Sequence, residues 1–142
     1  MAMVTARVEP EHVIVGFSGG MRGTDLTYLD ITPKMRLADV IHLIESYPAG
    51  GTNLSLPMEA ALEGKLPVEA FVIYTDNELG LGRRHPFQAL TAFRKDSGID
   101  AKLIVVAMTA TKFSIADPSD PGMMDVAGFD TAAPALMADF VR

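Results

Sequence analysis

Phe71-Val72-Ile73-Tyr74-Thr75-Asp76-Asn77-Glu78 is an apolar run that stops abruptly on polar and acidic residues. Phe71 to Tyr74 are consecutive large side chains, which suits a strand buried on both faces, as parallel strands are. Lys102 to Met108 repeats the pattern with Leu103-Ile104-Val105-Val106 at its centre. Between the two runs, Pro86 opens a helix with Phe87, Leu90 and Phe93 on one side, and Ser97-Gly98 closes it. Strand, helix, strand in that order predicts a parallel sheet covered by helices, the α/β class.

The flanking segments extend the same plan. Val13 to Phe17 reads as a strand ending in the turn Ser18-Gly19-Gly20, and Leu26 to Ile31 alternates like an edge strand hairpinned onto it. Thr32-Pro33 has the form of an N-cap with proline in the first helical turn. Leu37, Val40, Ile41 and Ile44 then recur at i, i+3, i+4 and i+7, one apolar stripe predicted to face inward. Ala49-Gly50-Gly51 is a hinge, and Met58, Ala61 and Leu62 mark a helix ending near Gly64. Phe113 to Gly122 reads as an irregular loop and Met123 to Val126 as a short strand. Thr131 is placed to cap a last helix with Leu136, Met137 and Phe140 inward.

Composition bounds the function. The 142 residues suit one domain, and 49% hydrophobic residues argue for a packed core rather than disorder. A net charge of −6 excludes broad electrostatic binding of nucleic acid, although a local basic contact remains compatible with it. No run is long enough to cross a bilayer, so no membrane partner is expected. The absence of cysteine rules out disulfides and thiolate metal sites, and with no basic-then-apolar leader at Met1 to Val8 a cytoplasmic setting is expected.

Two features carry chemistry. Gly50-Gly51-Thr52 presents a hydroxyl on a glycine-hinged loop, and Asp76 ends the decisive apolar run. Hard divalent cations such as Mg²⁺ take oxygen ligands of these types, with only one or two carboxylates and several waters. In open α/β sheets such sites lie at the carboxyl ends of strands. Nothing upstream supplies the rest of a metal cage.

With these elements in order, the chain resembles the C-terminal von Willebrand factor A-like domain of the Ro (TROVE) ribonucleoprotein family. The resemblance is carried by Pro48-Ala49-Gly50-Gly51-Thr52 with Leu56-Pro57-Met58, Phe71 through Glu78, and His85-Pro86. Ala101 to Val105, Phe113-Ser114-Ile115-Ala116-Asp117-Pro118 and Gly128-Phe129-Asp130-Thr131 follow in the same order. It implies a Rossmann-like, mainly parallel sheet flanked by helices, and a metal-ion-dependent adhesion site. The family's later-loop threonine maps onto Thr52 and its aspartate onto Asp76, with Asn53 and Glu78 as groups that would brace them. The family's Asp-x-Ser-x-Ser motif has no counterpart here; the nearest wording, Asp117-Pro118-Ser119, lies in a late loop. The resemblance therefore implies a domain truncated at its N-terminus, lacking a central strand that would lie between the Val13 and Phe71 strands. A second chain supplying that strand is one implied partner; a small noncoding RNA bound through a larger Ro-type protein is another.

Each site residue also has a plain reading. Asp76 suits a loop or helix cap, and Thr52 a helix-entrance residue with Asn53 or Ser55 capping. Arg83, Arg84 and His85 form a basic knot able to grip an RNA phosphate or an acidic partner, or else a solvated loop with His85 capping the helix at Pro86. Ser18 with His12 or His42 lacks any Gly-x-Ser-x-Gly elbow, so nucleophilic catalysis is not indicated. The resemblance implies a non-enzymatic binding module, ahead of a structural half-domain and of a metal-assisted phosphate hydrolase, for which no base is placed.

Overall fold

The computed structural model describes residues 1–18, 25–47, 52–75, 84–108, 115–128 and 130–142. The elements in chain order are α1 (Ala2–Val8), β1 (Val15–Ser18), β2 (Asp25–Tyr28), α2 (Leu37–Glu45), α3 (Leu56–Glu63), β3 (Ala70–Thr75), α4 (Pro86–Ser97), β4 (Lys102–Ala107), β5 (Met123–Ala127) and α5 (Ala133–Val141). The predicted α/β class holds: β3, β4 and β5 form a parallel sheet in that spatial order, with Phe71 opposite Leu103 and Leu103 opposite Met123. β1 and β2 pair antiparallel as a separate ribbon, Val15 opposite Tyr28.

The main core lies on one face of the parallel sheet. Phe71, Ile73, Leu103 and Val105 meet Met58 and Ala61 of α3 and Ala89, Leu90 and Phe93 of α4, with Phe71 edge-on to Phe93 at 5.1 Å. Burying side chains of this size contributes about 1.5–3 kcal/mol each. On the opposite face Ile104 and Val106 pack with Met137 of α5, joined by Met1, Tyr74 and Phe140. Central position explains why β4 alone is buried through Leu103 to Val106. β3 is not buried on both faces as its apolar run predicts: Val72 is 37% exposed, with no helix among the described residues packed on it.

The third cluster joins α1, the ribbon and α2 through Ala6, Ile31 and Val40. Here the sequence reading needs correction. α2 starts at Leu37, one turn later than Thr32-Pro33 suggests, since Thr32 closes a turn instead, its carbonyl accepting from Met35 N. Asp39 Oδ2 accepts from Arg36 N and holds the start. Of the predicted inward stripe, Val40 is buried, while Leu37, Ile41 and Ile44 are exposed. Periodicity identifies an apolar stripe but cannot say whether a neighbour covers it.

Other elements end as their chemistry dictates. Gly64 terminates α3, and Gly98 terminates α4 with φ +74°, the left-handed region that a Cβ would strain. Asp130, not Thr131, caps α5: its Oδ1 accepts from Ala132 N and Ala133 N. Leu136 faces solvent rather than the core, whereas Met137 is buried as predicted. Arg94, near the end of α4, donates from Nε to Ala101 O and from Nη1 to Asp120 Oδ2, tying that helix to the segments that feed β4 and β5.

Candidate functional site

The start of α3 is built by a local polar network. Asn53 Oδ1 accepts from Ser55 N at 3.1 Å and from Ser55 Oγ at 2.7 Å, an Asx turn that satisfies groups a helix start leaves unpaired. Ser55 is fully buried, and Glu59 Oε1 lies 3.1 Å from its hydroxyl, one turn further along. Asn53 therefore holds the turn that leads into α3, whose N-cap, Ser55, makes no side-chain cap bond of its own, and fixes the backbone immediately after Thr52.

Thr52 opens into a cleft of about 320 Å³ lined by Val15, Gly16 and Phe17 of β1 and by Tyr74 and Thr75 of β3. Thr75 is the last residue of β3 and is buried; its carbonyl accepts from Met108 N, just past the end of β4. The tertiary structure thus brings Thr52 to the carboxyl end of the parallel sheet, where open α/β sheets place their ligands. Asp76 follows Thr75 directly in the chain; Asp76, Glu78 and Arg83 lie outside the described residues, as do the Gly50-Gly51 hinge and Asn77.

Tyr74 was not singled out in the sequence, although a hydroxyl at the end of an apolar run is a signal of its own. Its Oη is buried and, among the described residues, makes no well-formed hydrogen bond. Burial pushes the phenol pKa above its usual value, and the nearby Thr5 hydroxyl offsets the shift only in part. Thr75 and the β1 residues were likewise missed, because strand-to-strand proximity is a property of the fold.

At the start of α4, Arg84 is exposed and His85 is the N-cap. His85 N donates to Gln88 Oε1 at 3.1 Å, and the imidazole packs on Phe87 with centroids 4.6 Å apart. Among the described residues the buried His85 Nδ1 has no hydrogen-bond partner. Asp117 forms a local turn, its Oδ1 accepting from Ser119 N and Oγ, contacts that hold its carboxyl below the usual range. Among the described residues no group of three or more His, Asp or Glu side chains is placed to hold a metal ion. Thr52 and Thr75 offer hard oxygen atoms at the cleft, the donor type Mg²⁺ prefers.

A parallel sheet flanked by helices, with a threonine loop delivered to its carboxyl end, defines a von Willebrand factor A-type domain. The family model for the Ro60 vWA domain matches residues 1–141, and the chain belongs to that family. It is 42% identical over 142 residues to the RNA-binding protein RO60 of Deinococcus radiodurans, covering 100% of this chain and 26% of that protein. Identity to the RNA-binding protein RO60 of Caenorhabditis elegans is 45% over 117 residues, 82% of this chain and 18% of the relative. The crystal structure of the Deinococcus radiodurans RO (RSR) protein superposes with a TM-score of 0.87 at 41% identity, covering 100% of this chain and 28% of that one. The chain spans about a quarter or less of the length of these relatives.

Proposed function

We propose that this chain is a non-enzymatic binding module of a Ro-type RNA-binding protein, in which a divalent cation at the cleft engages an acidic or phosphate oxygen of a partner. One observation carries the reading: Thr52 and the end of β3, far apart in sequence, line one cleft at the carboxyl end of the sheet. Thr52 and Asp76 would hold the cation, with Mg²⁺ the expected ion. When bound, the ion would supply a positive charge that a partner oxygen completes. Asn53 braces the loop through its Asx turn, and Glu78 would do so from the other side. Arg83, Arg84 and His85 stand next along the chain as contacts to a small noncoding RNA or another anionic partner. Relatives named for RNA binding support the non-enzymatic reading.

The test is a thermal melt with and without millimolar Mg²⁺, since a ligand that binds only the folded state raises its stability. An upward shift in the parent that disappears in Thr52→Ala and Asp76→Ala is expected. A parent indifferent to Mg²⁺ refutes the metal reading.

The geometry also favours a second reading, in which a separate chain completes the fold. β1 pairs only with β2 and β3 only with β4 among the described residues, and both border the same cleft. Unpaired strand edges accept an added extended segment. Under this reading a partner strand inserts between them, and co-expression with it sharpens a broad melt into a cooperative one.

A further inference from the structure

We infer that the open end of the β1–β2 ribbon is a binding site for a planar cation, the guanidinium of an arginine presented by a partner polypeptide. The site is separate from the Thr52 cleft and does not depend on how that cleft is read.

The ribbon has one covered face and one bare face. The pairing of Val15 with Tyr28 continues outward, where Leu29 N donates to Ile14 O, so Val13 stands opposite Asp30. Side chains alternate between the two faces along each strand. Ile14, Leu29 and Ile31 therefore share the face that packs with Ala6 and Val40, and Val13, Tyr28 and Asp30 share the other. That outer face is open: Val13 is 66% and Tyr28 70% exposed. A cleft of about 300 Å³ lies at this end of the ribbon, lined by His12, Val13, Tyr28 and Asp30 among others.

The polar side chains there are acceptors beside an aromatic ring. Asp30 is an exposed carboxylate, which only accepts. His12 Nδ1 lies 2.6 Å from Glu9 O; a carbonyl cannot donate, so Nδ1 carries the proton and Nε2 of the neutral ring is an acceptor too. Tyr28 adds a ring face, whose negative quadrupole attracts cations. Glu9 and Glu11 are exposed beside the cleft, and among the described residues neither they nor Asp30 is in an ion pair. Arg7, at the end of α1, gives its Nε to Pro33 O.

These features select the ligand. Guanidinium offers five N–H donors in one plane, no acceptor, and a face that stacks on an aromatic ring. An ammonium meets the charge but is not planar and is more strongly hydrated. A nucleotide base can stack on Tyr28, but its phosphate meets the repulsion of Glu9, Glu11 and Asp30. The net charge of −6 likewise favours the approach of a basic polypeptide.

Nuclear magnetic resonance titration of the 142-residue chain tests the site, with a capped Gly-Arg-Gly peptide as the probe and its lysine and citrulline counterparts beside it. Amide shifts are expected at residues 12–14 and 28–31, the stretches that line the cleft. The arginine peptide should bind at least ~3-fold tighter than the lysine one, and the neutral citrulline one should be silent. Tyr28→Leu should weaken the arginine peptide roughly 2–5-fold. Asp30→Asn should weaken it roughly 3–10-fold. Glu11→Gln removes an equal charge that does not line the cleft, and should change affinity less than ~2-fold. All three side chains are exposed, and unshifted amides in β3 and β4 verify that each variant folds. Shifts spread over the surface, equal losses in Glu11→Gln and Asp30→Asn, or binding indifferent to both Tyr28→Leu and Asp30→Asn overturn the site. A lysine peptide that binds as tightly as the arginine one overturns the planar cation. Adenosine monophosphate moving the same amides at equal concentration overturns the choice of a polypeptide.

Discussion

Replacing Asn53 with alanine removes a side-chain oxygen that holds the turn between Thr52 and α3. Two donors lose their acceptor: Ser55 N at 3.1 Å and Ser55 Oγ at 2.7 Å. The hydroxyl can turn to Glu59 Oε1 at 3.1 Å, so its loss is largely recovered. Among the described residues the Ser55 N–H has no such alternative, and the residue is fully buried. A buried donor left unsatisfied costs about 1–3 kcal/mol, so the expected loss is about 2 kcal/mol. For a chain of this size that lowers Tm by roughly 6 °C. Asn53→Asp keeps an acceptor at the same reach and should restore most of the loss. The assay is a melt of all three proteins by far-ultraviolet circular dichroism, run with and without Mg²⁺. The alanine variant should also lose part of any Mg²⁺ shift, because the loop holding Thr52 is no longer fixed. If alanine and aspartate variants melt alike, or alanine melts within about 1 °C of the parent, the Asx turn does not hold the site and this account of it is wrong.

Other consequences can be checked separately. Arg94→Met leaves the half-buried Asp120 carboxylate, among the described residues, with only Gly122 N as a donor and takes the guanidinium, 18% exposed, from the buried Ala101's carbonyl, and should cost about 2–3 kcal/mol in urea unfolding. Because that cluster lies at the amino ends of β4 and β5, any Mg²⁺ shift should survive it; an unchanged unfolding midpoint would remove Arg94 as the tie between α4 and the sheet. Tyr74 has a raised pKa in the folded state, so its neutral phenol contributes stability that is complete below about pH 10 and is lost as pH climbs through the folded value. Tyr74→Phe should therefore flatten the fall in Tm above about pH 10; an identical fall in both proteins would show that burial of the phenol does not matter. Replacing Arg83 and Arg84 together with glutamine should weaken binding to a small structured RNA and reduce its salt slope by up to about two. Binding indifferent to that change would return both arginines to the solvent.

The class of the fold was legible in the chain because its strongest signals are local. Leu103 to Val106 are all apolar, and only a central strand covered on both faces accommodates four such side chains in succession; all four are indeed buried. The Pro86 start and Gly98 stop of α4 follow from the missing N–H of proline and the tolerance of glycine for positive φ, which need no tertiary information. Thr52 and the end of the Phe71 run could be named as site elements from residue chemistry and the family resemblance. Their meeting could not be read, since it depends on how α3 and β3 stack. The same limit explains the errors. Leu37, Ile41, Ile44 and Leu136 have the spacing of core residues yet face solvent, because burial depends on what lies opposite. Asp130 displaced Thr131 as the cap of α5 through a one-residue shift that decides which oxygen reaches the free N–H groups. The sequence by itself determined where strands and helices form, since backbone preference and apolar spacing act within a few residues. Only the tertiary structure decided which apolar faces are covered and that Thr52, Tyr74 and Thr75 share a cleft with β1, because those contacts join segments that the chain keeps far apart.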